Sequence, residues 1–396
     1  MPENLKPIVL LLMCFLSACE YKDDDHQTAI DKSTDCSVAT SNKNASEAAQ
    51  RQLAFLMDLS CDKIPGVLSG QNAGHGSEIA NDENLMGYDK TFGALYRQTG
   101  KTPAVIGIDY EHDRIFSPEE LREANGVLIS HAQKGGLVTI NWAPVSPWLN
   151  DETDLQNNSG NWEDTRSDAV GGKADYIGLS ELTDPTTDVH AVWIKKLDRV
   201  ATALDELQQA GVVVMWRPLQ EMNGHWFWWG NTRPMNDPDE YIALWRHMHR
   251  YFSEEKKLNN LLWVFSPNKS LRIGLTVNRP ALWAYPGDEV VDIVAGTLYS
   301  GSLTLPDYDA FVKTGKPLGI AEYGDDLPAD GQLDNTLYAA RLLEDHPRIA
   351  YWVSWHSYPI GDGKYSLLSL PDNKNAKALL DNPLVLTVED LHATLP

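Results

Sequence analysis

A single (β/α)8 barrel is the fold class that this chain of 396 residues predicts. Eight short apolar runs recur along it, at residues 66–68, 104–108, 137–140, 212–215, 261–265, 291–294, 318–321 and 349–353. Between them lie amphipathic stretches such as "SPEELREANGVLISHAQKGG" and "VWIKKLDRVATALDELQQAG", each closing at a glycine, where a helix C-terminus favours one. Strands that alternate with helices build a parallel sheet. A doubly wound open sheet shares this local rhythm, but eight units over about 330 residues suit a closed barrel best.

Taken from the N-terminus, the chain opens on Lys6 and an apolar run at residues 8–16, followed by Leu16-Ser17-Ala18-Cys19. The run is too short to cross a bilayer as a helix, so residues 1–18 read as a signal peptide. The tetrapeptide resembles a bacterial lipobox, which makes Cys19 the expected lipidation site and the cell envelope, as an outer-membrane lipoprotein facing the periplasm or the surface, the expected location. Residues 19–48 are polar and nearly free of large apolar side chains, hence an expected tether, with the catalytic domain at residues 49–396. Of the four cysteines, Cys14 leaves with the signal and Cys19 takes the lipid; Cys36 and Cys61 remain as a possible disulfide in an oxidising compartment.

Composition narrows the function classes. The formal net charge is −23, and no basic stripe exists to meet phosphates, which argues against nucleic acid as a partner. Hydrophobic residues make up 42%, ample for a large core. No His/Cys cluster has zinc spacing and no glycine-rich phosphate loop occurs, so no metal and no organic cofactor is expected. A monomer is expected, because membrane tethering gives no reason for assembly.

The chemistry concentrates after the fourth and seventh runs. In "VVVMWRPLQEMNGHWFWWG" an apolar strand leads to Glu221, and barrel enzymes place their reacting groups at the C-terminal ends of the strands. In "KPLGIAEYGDD" the seventh run leads to Glu322 in the same way. Two carboxylates at two strand tops are what glycosidic cleavage needs: one protonates the leaving oxygen, and the other attacks the anomeric carbon or activates water. Sugars also present flat C–H faces, which aromatic platforms cover. Trp226, Phe227, Trp228 and Trp229 follow Glu221, Trp355 ends the eighth run, and Trp142, Trp148 and Trp162 lie at and beyond the third. Trp226 and Trp355 are the strongest sugar contacts among them. His75, His112 and His225, with Asn72 and Asn141, stand near strand tops as candidates to orient substrate.

These motifs resemble glycoside hydrolase family 26, the β-mannanase family. "WRPLQEMNGHWFWWG" looks like its acid/base motif, "LNNLLWVFSPN" its fifth strand, "DIVAGTLY" its sixth and "GIAEYG" its nucleophile strand. The resemblance implies a retaining barrel hydrolase without cofactor, acting on β-1,4-mannan-type polysaccharide or its oligosaccharides. It implies Glu221 as acid/base, Glu322 as nucleophile, Tyr299 as the tyrosine bonded to the nucleophile, Trp226 beside the scissile bond and Trp355 as the platform beneath the sugar. Trp142, Asn141, Trp162, His75 and Gln220 complete the expected substrate-binding set. Three positions depart from the family pattern: Gln220 where His precedes the acid/base, Ala143 where His often follows the third-strand Trp, and Thr297 where Asp is usual. An amide at 220 can still donate to a sugar hydroxyl. The family includes β-1,3-xylanases and mixed-linkage glucanases, so those specificities stay open, as does a non-catalytic glycan-binding lipoprotein.

Overall fold

The computed structural model describes residues 36–82, 85–112, 114–149, 160–170, 175–273 and 277–391. The expected signal peptide and lipidated Cys19 lie outside these. Eight parallel strands close into a barrel: β1 (Gly70–His75), β2 (Val105–Glu111), β3 (Leu137–Trp142), β4 (Val214–Pro218), β5 (Leu261–Phe265), β6 (Ile293–Tyr299), β7 (Leu318–Gly324) and β8 (Ile349–Ser354). Each pairs with its successor, and β8 returns to β1. The expected barrel is therefore the observed one.

The strand boundaries differ from the apolar runs in one consistent way. Residues 67–68 form only a two-residue strand, and the barrel strand continues as the polar "GQNAGH" of β1. Likewise β2 runs on through Asp109 and Glu111, β6 through Thr297 and Tyr299, and β7 through Glu322. Ladder hydrogen bonds are made by the backbone whatever the side chain is, so polar residues extend a strand into the polar mouth of the barrel, as Asp109, Thr297 and Glu322 do, or out toward a helix that offers a partner, as Glu111 does with Arg199.

Alternation sorts the core into two layers. Val214 and Trp216 of β4, Trp263 of β5 and Val294 of β6 face the outer helices. Val213, Met215, Leu262, Val264, Ile293 and Ala295 fall in a second cluster with Leu53, Leu56 and Leu59 of helix α1 (Glu47–Ser60). That helix closes the barrel floor; Ser46 caps its start by accepting from the Ala49 amide, and Ser60 Oγ accepts from the Leu318 amide at the foot of β7. Helices α2 (Pro118–Gln133) and α3 (Asp188–Gln209) occupy the two expected amphipathic stretches, α2 beginning with a Ser117–Glu120 capping box.

Residues 36–48 of the expected tether belong to the folded unit. The compact unit begins at Cys36 rather than at residue 49. The Ser41 backbone amide and hydroxyl donate to the buried Asp292 at 2.5 and 2.9 Å, and the Asn42 amide reaches the Leu258 carbonyl. Cys36 is bonded to Cys61. Polar composition marked this strap as unstructured, but its polar groups are the ones that satisfy buried partners on the barrel.

Candidate active site

The polar mouth of the barrel is assembled by local irregularities in otherwise regular strands. In β7, Ile320 pairs with Gly296 of β6, yet Glu322 pairs with Thr297, so Ala321 is an extra residue. The β7–β8 register shows the same insertion. Ile320 and Tyr323 both lie in the outer core, while Ala321 lies in the inner one. Strict alternation would put Glu322 on the face of Ile320; the bulge turns it inward instead. There Glu322 accepts from the Arg217 guanidinium at 2.7 Å and from the Tyr299 hydroxyl at 2.8 Å. Arg217 follows Val213 and Met215 on the inward face of β4, and only 3% of its side chain is exposed.

Glu221 sits on strained backbone just past β4. Its φ is +57° and that of Leu219 is +52°, both in the left-handed region that side chains avoid. Such residues persist only where surrounding contacts hold them. Here the Leu219 amide donates to the Trp142 carbonyl and the Glu221 amide to the Ser266 carbonyl at 2.7 Å, pinning the turn to β3 and to the end of β5. The half-buried carboxyl group accepts three hydrogen bonds: Oε1 from the Asn268 amide at 2.7 Å and the Thr297 hydroxyl at 2.5 Å, Oε2 from the Trp226 indole at 2.8 Å. Burial, and next the negative charge of Glu322, raise its pKa to about 7 against these three donors. Gly224 matters in the same loop, because a Cβ there would lie 2.5 Å from the Trp226 ring.

Of the other expected residues, Trp226 and Tyr299 each touch one carboxyl group. Trp355 is only 5% exposed, and Tyr299 packs against its cluster. Rings line up next to it: His75 stacks on His112 at 4.6 Å and His112 on Trp162 at 4.8 Å, with Trp355 tilted 5.8 Å from His112. The amides of Asn72 and Asn141 both donate to the buried Asp109. Gln220 is buried, its backbone carbonyl accepting from the Trp229 indole.

Trp142 corrects the expected substrate set. It is fully buried, stacked between Trp193 and Trp216, and its indole donates to Glu111. Odd and even positions at a strand end face opposite layers, and 142 falls on the outer one. Trp228 and Trp229 are core as well, whereas His225 is exposed on the loop. Among the described residues no three His, Cys, Asp or Glu side chains are grouped to hold a metal ion.

The model of "Glycosyl hydrolase family 26" matches residues 41–390 of this chain. The chain belongs to that family. Within glycosyl hydrolase family 26 it is similar to mannan endo-1,4-beta-mannosidase A and B of Caldalkalibacillus mannanilyticus, 32% identical over 334 residues, 81% of this chain and 58% of that protein. The chain thus spans less than two thirds of that relative's length. A mannan endo-1,4-beta-mannosidase of Bacillus subtilis is 27% identical over 361 residues, 87% of each chain. Among solved structures it is similar to the Bacillus subtilis mannanase BCman, 25% identical with a TM-score of 0.69 over 88% of this chain and 95% of that one.

Sequence reasoning missed several members of this family-26 site. Arg217 carried a signal, as a lone cation in the apolar strand "VMWRP", on the parity of Met215. Asn268 lay within the quoted fifth-strand motif but had no partner to suggest its role. Arg279 had none either: buried on the segment Val277–Arg279, it donates to the Gly224 and Gly230 carbonyls at 2.9 Å each and so braces both ends of the Trp226 loop.

Proposed function

We propose that this chain is a β-mannanase, a retaining hydrolase of β-1,4-mannosidic bonds in mannan, glucomannan, galactomannan or their oligosaccharides. The observation that carries this reading is the pairing of two unlike carboxyl groups. Glu221 keeps its proton to about pH 7, while its neighbour Glu322 is held by a guanidinium and a phenol. Environments that push two carboxyl groups toward different tasks assign acid and nucleophile.

In the first step Glu221 gives its proton to the glycosidic oxygen as Glu322 attacks the anomeric carbon; the C–O bond breaks and a glycosyl ester of Glu322 forms. Arg217 and Tyr299 orient that carboxylate. Glu221, now ionised, takes a proton from water, which displaces Glu322 with retained configuration. Such a pair works with its carboxyl groups roughly 5–5.5 Å apart. The rings of Trp355, Trp162, His112 and His75 suit the flat faces of a sugar chain. The side-chain oxygens of Gln220 and Asn141, buried and without a donor among the described residues, suit sugar hydroxyls.

A glucan substrate is the second reading. Endoglucanase H of Acetivibrio thermocellus is 27% identical over 208 residues, 46% of this chain and 20% of that protein, and Gln220 departs from the mannanase pattern next to the acid. We further propose a lipid anchor at Cys19 in the bacterial outer membrane and a monomeric enzyme; the lipobox-like "LSAC" supports the anchor, and the Cys36–Cys61 bond suits an oxidising compartment.

The test is product analysis with linear mannan, mannohexaose, lichenan and β-1,3-xylan, using Glu322→Ala as control. Cleavage of mannan by the wild type alone is expected, with mixed oligosaccharides indicating an open, endo-acting cleft. Cleavage of lichenan or xylan with mannan untouched would replace the substrate assignment. No cleavage of any polymer, with mannan still bound, would replace the enzyme by a glycan-binding protein.

A further inference from the structure

We propose that Thr297 is a positioning residue for the acid/base: its hydroxyl, with the Asn268 amide, fixes Glu221 Oε1 as an acceptor and leaves Oε2 as the oxygen that delivers and recovers the proton. The inference rests on the reading of Glu221 as acid/base.

A carboxyl group offers about four lone-pair positions. On Glu221 the Asn268 amide and the Thr297 hydroxyl fill the two of Oε1, and the Trp226 indole fills one of Oε2. Amide and indole N–H groups can only donate, but a hydroxyl can turn and accept. The direction of this hydroxyl is set by a second contact. Asn268 Nδ2 also lies 3.3 Å from Thr297 Oγ, and as a donor it turns the hydroxyl hydrogen toward Glu221. A proton on Oε1 would then meet two donors. The remaining position is on Oε2, next to the Trp226 indole.

Thr297 does more than orient. It is fully buried and pairs in register with Glu322 itself, so it stands between the two carboxyl-bearing elements. Among the described residues, Glu322 on β7 and Tyr299 on β6 act electrostatically on Glu221, Arg217 on β4 and Tyr299 are bonded to Glu322, and His225 is exposed on the Glu221 loop; the segment after β5 supplies the Asn268 amide. The Thr297 hydroxyl stabilises the ionised form of Glu221 against its negative neighbour. A carboxylate at 297, the residue type that the family resemblance leads one to expect, would instead add a second negative charge. In this chain the acid is therefore tuned to release its proton at lower pH than an Asp at 297 would allow.

The experiment is the pH profile of kcat/KM on mannohexaose for wild type, T297V, T297S and T297D, with Glu322→Ala as control. The alkaline limb reports loss of the acid's proton in the free enzyme. Loss of one hydrogen bond to a charged group is expected to move that limb up by about one pH unit in T297V. T297D moves it further, T297S returns it to the wild-type position, and KM changes little because the side chain is buried away from substrate. Should T297V fail to fold, T297A carries the same test. An unmoved or lowered limb in T297V, or a limb that T297S does not restore, overturns the proposal. Turnover by Glu322→Ala at the wild-type rate would instead overturn the catalytic reading on which it rests.

Discussion

Replacing Glu221 with glutamine is expected to stabilise the protein at alkaline pH while abolishing its catalysis. The folded carboxyl group titrates at about 7, against an ordinary value of 4.5, because burial and then Glu322 disfavour its charge. The folded state therefore keeps a proton that the unfolded chain releases as pH rises from 4.5. Stability from this group is fully present below pH 4.5 and is lost progressively up to pH 7. The span of about 2.5 units, at 1.36 kcal/mol each, amounts to about 3 kcal/mol. A neutral amide does not titrate, so the stability difference between E221Q and wild type should grow by about 3 kcal/mol between pH 4 and pH 8. Any fixed cost of an amide hydrogen facing the Trp226 indole drops out of that comparison. Thermal melts of both proteins across this range measure it, and the same pair in an E322Q background separates burial from like-charge repulsion, since the growth should shrink there. A difference independent of pH would show that Glu221 is not held protonated, and the acid assignment would fall with it.

Other perturbations probe the framework around the two carboxyl groups. Arg217→Met leaves Glu322 buried with Tyr299 as its remaining donor among the described residues; loss of one partner of a buried pair should destabilise the enzyme by about 3–5 kcal/mol and collapse turnover, seen in melts and in mannan hydrolysis. Arg279→Met strips the Gly224 and Gly230 carbonyls of their shared donor. At roughly 1–3 kcal/mol for each buried group left unpaired, the variant should melt earlier and lose kcat through a loosened Trp226. Opening the disulfide with C36S/C61S frees a loop with a sequence separation of 25, worth about 3 kcal/mol in chain entropy. The melting temperature should fall while activity at 25 °C stays near wild type, because the bond lies at the foot of the barrel.

Much of this site was legible in one dimension. An apolar run that ends in a carboxylate, twice, at the spacing of alternating strands and helices, can be read without coordinates, because a parallel barrel exposes side chains only at its strand ends. Tyr299 and Trp226 were legible from the motifs in which they occur. Counting left Cys36 and Cys61 as a possible pair, and the fold bonds them.

What stayed hidden depended on phase and on partners distant in sequence. Trp142 reads as one more aromatic at a strand top, but the pleat of β3 turns it into the outer core between Trp193 and Trp216. Glu322 faces inward only because Ala321 is an extra residue in β7, and nothing in "GIAEYG" announces a bulge. The polar strand "GQNAGH" and the strap at residues 36–46 lack the apolar pattern that marks packed segments, yet both are held by hydrogen bonds to remote elements.

The sequence by itself determined the barrel, its family and the two carboxyl groups, since hydrophobic period and local motif are properties of neighbouring residues. Only the tertiary structure decided that Thr297, Asn268 and Trp226, from three different elements, share one carboxyl group, and that Arg217 and Tyr299 share the other. Hydrogen-bond geometry and burial exist only after the strands have closed, and that burial is what raises the pKa of Glu221.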